Sequence, residues 1–246
     1  MTPLKYLEAV RQVLSHLEQT QLPAVERAAD LVVAALTHGG AIFCSEIGHG
    51  GQGDFINRAG GLLAVQPFSC NLNISDKVPR RLQNRPQAGN VERELETIRL
   101  AVRVGNLRAG DVIIMSSVSG KNSRPIELAL ACRDKGLKTI GFSSMEYTQK
   151  VTSLHPSGKK LCEVVDVAVD IGAPYGDAAV DIPGYDYKLL PVSGISMGVI
   201  GHMIFGRAME KMAAAGNPPT VFMSFNREGG PEAHKKSVEQ YEARGY

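Results

Sequence analysis

The sequence predicts an α/β fold in which helices cover both faces of a parallel β-sheet. Short, almost wholly apolar segments alternate along the chain with longer segments that have the periodicity of amphipathic helices. Strands of this kind are typical of a parallel sheet that is buried on both sides. The chain has 246 residues and contains no internal repeat, low-complexity tract or linker. We therefore expect residues 1–246 to form a single domain.

Two amphipathic helices are predicted in the N-terminal helical part, over residues 1–38. Apolar residues recur three or four positions apart in both segments, and Pro23 opens the second one. The period then changes, and the continuous apolar run "AIFC" at 41–44 predicts the first strand. We expect a glycine-rich turn after Cys44 and then a helix over about residues 51–59.

The remaining elements continue the alternation of strands and helices. Further strands are expected at 62–66, 111–115, 138–142 and 166–170, and helices at 90–105 and 124–136. Residues 69–90 are polar and contain prolines, which predicts a loop or lid. The helix that begins near Ser193 is the last long one expected, because Gly and Pro punctuate the C-terminal tail over residues 217–246.

Charge and cysteine content argue against several classes of function. A net charge of +2, with no basic run interleaved with aromatic residues, argues against a nucleic-acid partner. The most apolar late segment is interrupted by His202 and Arg207 and is too short to span a membrane. The four cysteines form no CxxC pair, which fits a reducing compartment. We expect a soluble, cytoplasmic protein without metal, nucleotide or other cofactor.

A group of small polar residues follows the strand at 111–115 and precedes a helix. It comprises Ser116, Ser117, Ser119, Gly120, Lys121 and Asn122. In open α/β sheets, ligands bind outside the carboxyl ends of the strands. A helix N-terminus there offers unpaired N–H groups and partial positive charge, which suit an anion. We therefore predict a site for a phosphate monoester, with simple helix capping as the alternative interpretation.

Two other phosphate-binding motifs are incomplete. A Walker loop requires G-x-x-x-x-G-K-[ST], but this chain has Met115 and Asn122 at the two ends. The segment "GHGGQG" at 48–53 matches G-x-G-x-x-G, yet dinucleotide binding also requires an acid at the end of the next strand. The first acid after that strand is Asp76, well beyond its end. The sequence therefore favours neither a nucleotide triphosphatase nor a dinucleotide-binding enzyme.

The segment "VIIMSSVSGKNSRPIELALACRDKGLKTIGFSS" resembles the core of the sugar isomerase (SIS) domain family, whose second strand typically ends in an S-x-S-G-x-[ST] phosphate loop. The segments "RAGGLLAVQPF", "LHPSGKKLCEVVDVAVDIGAPYGDAAVDI" and "PPTVFMSFNREGG" extend the likeness, over nearly the whole chain, to a phosphosugar-binding subfamily. The resemblance implies a three-layer α/β/α fold with a five-stranded parallel sheet. It also implies a protein that, like family members commonly, is a dimer and binds a sugar phosphate near the subunit boundary.

By this resemblance, further serines join those that hold the phosphate. The additional predicted phosphosugar-binding residues are Ser45, Ser143, Ser144 and Ser193. For Ser143 and Ser144, turn formation is the alternative role. The subfamily typically has a turn resembling F-G-x-G-H-S-H after the first strand, where this chain reads "FCSEIGHG". Glu46 and Ile47 take the places of Gly and His, while His49 is retained, and this departure bears on substrate and activity.

An aldose–ketose isomerisation requires a base beside the carbonyl and an acid for its oxygen. Glu46 and His49 lie on the turn after the first strand, and His202 lies nine residues beyond Ser193. That spacing resembles the helix with a functional His in heptose-phosphate isomerases, which also carry a Glu where this chain offers Asp54. The alternatives are an exposed turn carboxylate for Glu46, a capping or solvent-facing His49, and a hydrogen-bonded core His202.

We therefore predict a phosphosugar-binding SIS-domain protein that isomerises a sugar phosphate by enediol proton transfer. A homodimer or larger homo-oligomer is expected. Two alternatives remain open. The missing helix carboxylate and the altered turn favour a non-catalytic sugar-phosphate sensor, whereas a lyase that acts on a sugar ether would need a carboxylate such as Glu46.

Overall fold

A computed structural model describes residues 1–49, 52–85 and 90–246, and predictions that fall on residues 50–51 and 86–89 lie outside the described part. Its main sheet has five parallel strands in the order β2-β1-β3-β4-β5. These strands are β1 (Ile42–Gly48), β2 (Val65–Phe68), β3 (Val112–Ser116), β4 (Lys138–Ser143) and β5 (Val167–Asp170). The predicted α/β class with a five-stranded parallel sheet is confirmed.

Helices cover both faces of this sheet. One layer contains α1 (Thr2–Thr20), α2 (Leu22–Thr37) and α8 (Ser193–Ala214), and the other contains α4 (Asn90–Val104), α5 (Ser123–Asp134) and α7 (Leu161–Val164). The first four residues of the central strand β3 are apolar because they pack against both layers. Val112 and Ile114 join the core under α1, α2 and α8, whereas Ile113 and Met115 join the core under α4, α5 and α7. The result is the predicted three-layer arrangement.

The turn after the first strand differs from the prediction. β1 continues through Ser45 and Glu46 to Gly48, with an irregular register against β3 between Cys44 and Gly48. The physical reason is Ile47, whose side chain is buried in the core beneath α4 and α5. The following helix, α3 (Gln52–Phe55), is shorter than expected.

Two elements in the C-terminal third were not predicted. Between β5 and α8, the chain forms an antiparallel hairpin of β6 (Ala178–Val180) and β7 (Leu189–Pro191). The tail contains a long helix, α9 (Gly230–Arg244), so the expectation that α8 is the last long helix is wrong. The residues of α9 are mostly polar, which conceals helical periodicity. Tyr241 of α9, and Tyr246 beyond its end, nevertheless pack against the main core.

The remaining short elements lie in connecting segments. These are α6 (Met145–Gln149) and a single turn of 3-10 helix at Arg80–Leu82. Residues 69–79 and 83–85 form irregular loop, as the sequence predicts for that region. Within the described ranges, no helix combines the length and apolar composition needed to cross a bilayer.

Candidate functional site

The sheet has a topological switch point between β1 and β3, because β2 lies outside β1 and β4 lies outside β3. Open α/β sheets bind ligands in the crevice at the carboxyl ends of such strands. A cavity of about 250 Å³ opens there. Its lining residues are Gly48, His49, Ser117, Val118, Ser119, Asn122, Tyr147, Gly176 and Asp177. Four of the predicted site residues, His49, Ser117, Ser119 and Asn122, therefore share one cavity.

Residues 116–122, here called the serine segment, form a tight turn beside this cavity. The Gly120 N–H donates to the Ser117 carbonyl at 2.9 Å and closes a turn. Gly120 has φ +68°, and a Cβ atom built there would lie 2.7 Å from Thr148 Oγ1. Thr148 in turn donates to the Ser119 carbonyl at 3.1 Å. This position therefore requires glycine, both for its backbone conformation and for its close contact.

Helix α5 begins directly after the serine segment, but capping does not account for the polar groups there. Asn122 occupies the N-cap position, yet its side chain makes no capping hydrogen bond. The hydroxyls of Ser117 and Ser143 are buried and have no hydrogen-bond partner among the described residues. An unpaired buried hydroxyl costs about 1–3 kcal/mol. A ligand with acceptor oxygens could satisfy the Ser117 hydroxyl, which lines the cavity.

Three other predicted serines use their hydroxyls within the protein. Ser116 donates to the His49 carbonyl, and Ser45 accepts the N–H of Ile47 at 3.0 Å. Ser144 caps α6 by accepting the Tyr147 N–H at 3.1 Å. These three hydroxyls position the backbone at the strand ends, and none of the three residues lines the cavity.

Lys121 also lies outside the cavity lining. Its backbone carbonyl accepts the Leu154 N–H at 2.9 Å, and the neighbouring Gly120 carbonyl accepts the Leu161 N–H at the same distance. The chain that follows α6 therefore holds the serine segment in place through these two backbone hydrogen bonds. The predicted role of the Lys121 ammonium in phosphate binding stays a prediction.

The backbone at the end of β1 fixes His49 at the cavity. The His49 N–H donates to the Ser116 carbonyl at 3.1 Å. A Cβ atom on Gly48, which has φ +116°, would lie 2.1 Å from that same carbonyl oxygen. The glycine therefore allows β1 to approach β3 closely enough for His49 to reach the cavity.

The imidazole of His49 contacts Ser193 and, through Ser193, is linked to Asp177; both residues are distant from it in sequence. Its Nε2 lies 3.3 Å from Ser193 Oγ, and the Ser193 hydroxyl donates to Asp177 Oδ2 at 2.6 Å. Asp177 Oδ1 also accepts the backbone N–H groups of Val192 and Ser193, at 3.3 and 2.9 Å. Ser193, predicted to contact the sugar, thus bridges a carboxylate and an imidazole.

Asp177 is the main site residue that the sequence did not indicate. It lies in "APYGDAAV", which reads as a turn, and it has φ +67°, an uncommon conformation for a residue other than glycine. The one sequence feature that could have indicated a role for Asp177 is the presence of a carboxylate in such a turn. Its partner Ser193 is 16 residues away and His49 is 144 residues from Ser193, so no local spacing connects them.

Glu46 and His202 are not brought together with this cavity. Glu46 is exposed and is absent from the lining. His202 is also exposed rather than buried in the core, with its ring edge-on to Phe55 at a centroid distance of 5.8 Å. It lines a separate groove of about 770 Å³ with Asp54. Nine residues of α8 separate it from Ser193, which corresponds to about 13 Å along the helix axis.

Thiol chemistry has no support near this cavity. Cys44 lies in β1, and burial raises its pKa to about 12. A thiol in this state remains protonated and is a poor nucleophile at neutral pH. Within the described part of the chain, no group of three or more His, Cys, Asp or Glu side chains is placed to hold a metal ion.

Comparisons with known proteins give consistent results. A family model described as SIS domain matches residues 5–144. A UPF0309 protein of Caldanaerobacter subterraneus is 32% identical over 248 residues, which cover 97% of this chain and 97% of that protein. A UPF0309 protein of Geobacillus kaustophilus is 33% identical over 243 residues, which cover 98% of this chain and 92% of that protein.

A solved structure shares the architecture. The phosphoheptose isomerase of Neisseria gonorrhoeae superimposes with a TM-score of 0.50 and 16% sequence identity, over 82% of this chain and 94% of that one. At this level of identity the likeness concerns the fold alone.

Proposed function

Because the chain belongs to the SIS domain family and groups with its UPF0309 relatives, we propose that it binds a sugar phosphate and interconverts its aldose and ketose forms. The family assignment agrees with the resemblance found in the sequence. The observation that carries the proposal is the buried, unpaired hydroxyl of Ser117, which lines a cavity at the N-terminus of α5. An unpaired donor at a helix N-terminus favours an anion.

The phosphate would lie against the serine segment. Ser119 and Asn122 line the cavity with Ser117, and the first N–H groups of α5 carry the positive end of the helix dipole. The sugar would then extend toward His49, on the opposite strand of the crevice. The volume of about 250 Å³ lies just below the range of about 300–1,000 Å³ that is typical of ligand cavities, which suits one small metabolite.

Aldose–ketose isomerisation requires a group that carries a proton between adjacent carbons. In an enediol mechanism, a base removes the proton beside the carbonyl and returns it to the neighbouring carbon. His49 supplies an imidazole to the cavity, and imidazole is the side chain most often used for this task at neutral pH. His49 is therefore the proposed proton carrier.

Binding is tested by titration calorimetry with hexose, pentose and heptose phosphates against the wild type and two serine variants. We expect Ser117→Ala to weaken the affinity for the preferred sugar phosphate about tenfold, the equivalent of one lost hydrogen bond to a charged group. Ser75→Ala, at an exposed loop position, is the matched control and should leave the affinity unchanged. Equal affinity of wild type and Ser117→Ala would place the phosphate elsewhere.

Catalysis is tested by incubating the protein with the bound sugar phosphate in D₂O. Proton transfer through an enediol exchanges with solvent, so deuterium should appear at C1 or C2. The wild type should show this uptake, and His49→Gln should lose it while it still binds the ligand. The absence of deuterium from every sugar phosphate that binds would exclude the isomerase.

A sugar-phosphate sensor without catalysis is the second candidate function. The cavity contains one carboxylate among its described lining residues, that of Asp177, and this carboxylate already accepts three hydrogen bonds from the start of α8. Glu46, the carboxylate suggested for a sugar-ether lyase, lies outside the lining. Tight binding with no deuterium uptake would favour the sensor.

We further propose that residues 1–246 act as one SIS domain and assemble as a homodimer or larger homo-oligomer in the cytoplasm. The cysteine spacing, which contains no CxxC pair, supports a reducing compartment. Light scattering after size-exclusion chromatography tests the assembly. A mass equal to the 26.4 kDa monomer at micromolar concentration would refute it.

A further inference from the structure

We infer that Asp177 and Ser193 hold the proton of neutral His49 on Nε2, so that Nδ1 of the same ring is the base that removes the proton from the substrate. The assignment of the proton depends only on the hydrogen bonds of these three residues. The role as a base rests on the proposed isomerase function.

Counting hydrogens determines the direction of each bond. An ionised carboxylate only accepts, and a serine hydroxyl has one hydrogen to donate. The short contact of 2.6 Å between Ser193 Oγ and Asp177 Oδ2 uses that hydrogen. The contact of 3.3 Å between Ser193 Oγ and His49 Nε2 must then be donated by the imidazole. A neutral imidazole that carries its hydrogen on Nε2 has its free lone pair on Nδ1.

The surrounding backbone holds the carboxylate in this position. Asp177 Oδ1 accepts the N–H groups of Val192 and Ser193, and Ser193 is almost fully buried. The φ of +67° at Asp177 is uncommon for a residue with a side chain, and such conformations are found mainly where surrounding contacts fix the position. Capping of α8 explains the two backbone bonds, but it does not explain the bond from Ser193 to His49.

The arrangement assigns a balanced proton transfer to the ring. Nδ1 takes the proton from C2 of an aldose phosphate, the C–H electron pair forms the C1–C2 double bond, and the carbonyl pair moves to O1. The proton then returns from Nδ1 to C1 while the C2 hydroxyl proton passes to O1, which yields the ketose. The Asp177 carboxylate stabilises the transient imidazolium through Ser193. In serine proteases an aspartate also stabilises the imidazolium of the catalytic histidine, although there it contacts the histidine directly.

The substitution Asp177→Asn reverses the bonds without removing them. The asparagine NH₂ would replace Oδ2 and donate to Ser193 Oγ, which frees the serine hydrogen to donate to His49 Nε2. The ring proton is then expected to move to Nδ1. Ser193→Ala provides a second variant, because it retains both backbone bonds of Asp177 and removes only the bridge to the ring.

The test is two-bond ¹H–¹⁵N spectroscopy of the full chain labelled at histidine, at about pH 8, above the usual titration range of histidine. The His49 signals are assigned with His49→Gln. We expect the Nε2–H tautomer in the wild type, the Nδ1–H tautomer in Asp177→Asn and a mixture in Ser193→Ala. Ser196→Ala, which removes a hydroxyl bonded to the Ser193 carbonyl, is the control and should match the wild type.

Activity is measured on the same samples. Asp177→Asn should reduce kcat at least about 100-fold, in line with the loss of a general base, with little change in sugar-phosphate affinity. A tautomer that is Nδ1–H in the wild type, or unchanged in Asp177→Asn, would overturn the proton assignment. A shifted tautomer with unchanged kcat would overturn the role as a base. A shifted tautomer in a protein with no turnover supports the assignment and refutes the isomerase.

Discussion

The substitution Gly48→Ala tests whether the close approach of β1 and β3 builds the cavity. Gly48 has φ +116°, outside the region that residues with a side chain normally adopt. The new methyl group would also lie 2.1 Å from the Ser116 carbonyl oxygen. That oxygen is the acceptor for the His49 N–H, so any movement that relieves the clash breaks this bond.

The magnitude follows from three terms. The unfavourable backbone conformation costs about 1–3 kcal/mol, and overpacking against a backbone oxygen costs about 1–3 kcal/mol more. The reduced entropy of the unfolded chain returns about 0.4–1 kcal/mol. Together these ranges give a loss of about 1–6 kcal/mol in the free energy of unfolding, with a central value of about 3 kcal/mol. For a chain of this length, the central value lowers the Tm by about 6–12 °C.

The assay is differential scanning calorimetry of the wild type, Gly48→Ala and a matched control, Gly206→Ala. Gly206 lies within α8, and a Cβ atom there meets nothing within 4 Å. Alanine in the interior of a helix should raise stability by about 0.5–1 kcal/mol relative to glycine. The two glycine-to-alanine changes should therefore shift the Tm in opposite directions.

Ligand affinity provides a second measurement on the same proteins. Gly48→Ala should weaken sugar-phosphate binding because it displaces His49 from the cavity wall, whereas Gly206→Ala should bind normally. A Tm within 2 °C of the wild type for Gly48→Ala, combined with unchanged affinity, would refute the reasoning. It would mean that β1 can move away from β3 without consequence for the site.

Two further predictions concern charged groups outside the cavity. Glu127 is buried and accepts from Arg99 Nε at 2.5 Å, so Glu127→Gln should lower the free energy of unfolding by about 2–3 kcal/mol. Glu96, an exposed partner of the same arginine, is the control. In urea titrations, Glu96→Gln should change the free energy of unfolding by less than about 1 kcal/mol. Hydrogen bonds from Arg207 lower the pKa of Glu26 to about 2. This contribution to stability is present above the ordinary glutamate pKa of about 4.3 and is lost as the pH falls toward 2, so the Tm difference between wild type and Glu26→Gln should shrink over that interval.

Either prediction can fail on a clear result. Equal losses for the two arginine partners would mean that burial adds nothing to the ion pair. A Tm difference for Glu26→Gln that grows as the pH falls would reverse the sign required by a lowered pKa.

The order of the strands and helices could be predicted from the sequence because it depends on local patterns. Continuous apolar runs mark strands buried on both faces, and β3 is a clear case, since its residues alternate between the two cores. The position of the serine segment after β3 was also predictable, because a strand end is a local feature. The polar helix α9 and the β6–β7 hairpin were missed because tertiary contacts, rather than local periodicity, stabilise them.

The sequence by itself determined the fold class, the family likeness and the place of the serine segment at a strand end. Only the tertiary structure decided which side chains share the cavity. It placed His49 beside Ser193 and Asp177, and it placed His202 about two and a half helical turns away from Ser193. The physical reason is that these partners lie on three separate segments of the chain. Their distances depend on how the strands pair and the helices pack, which local spacing does not encode.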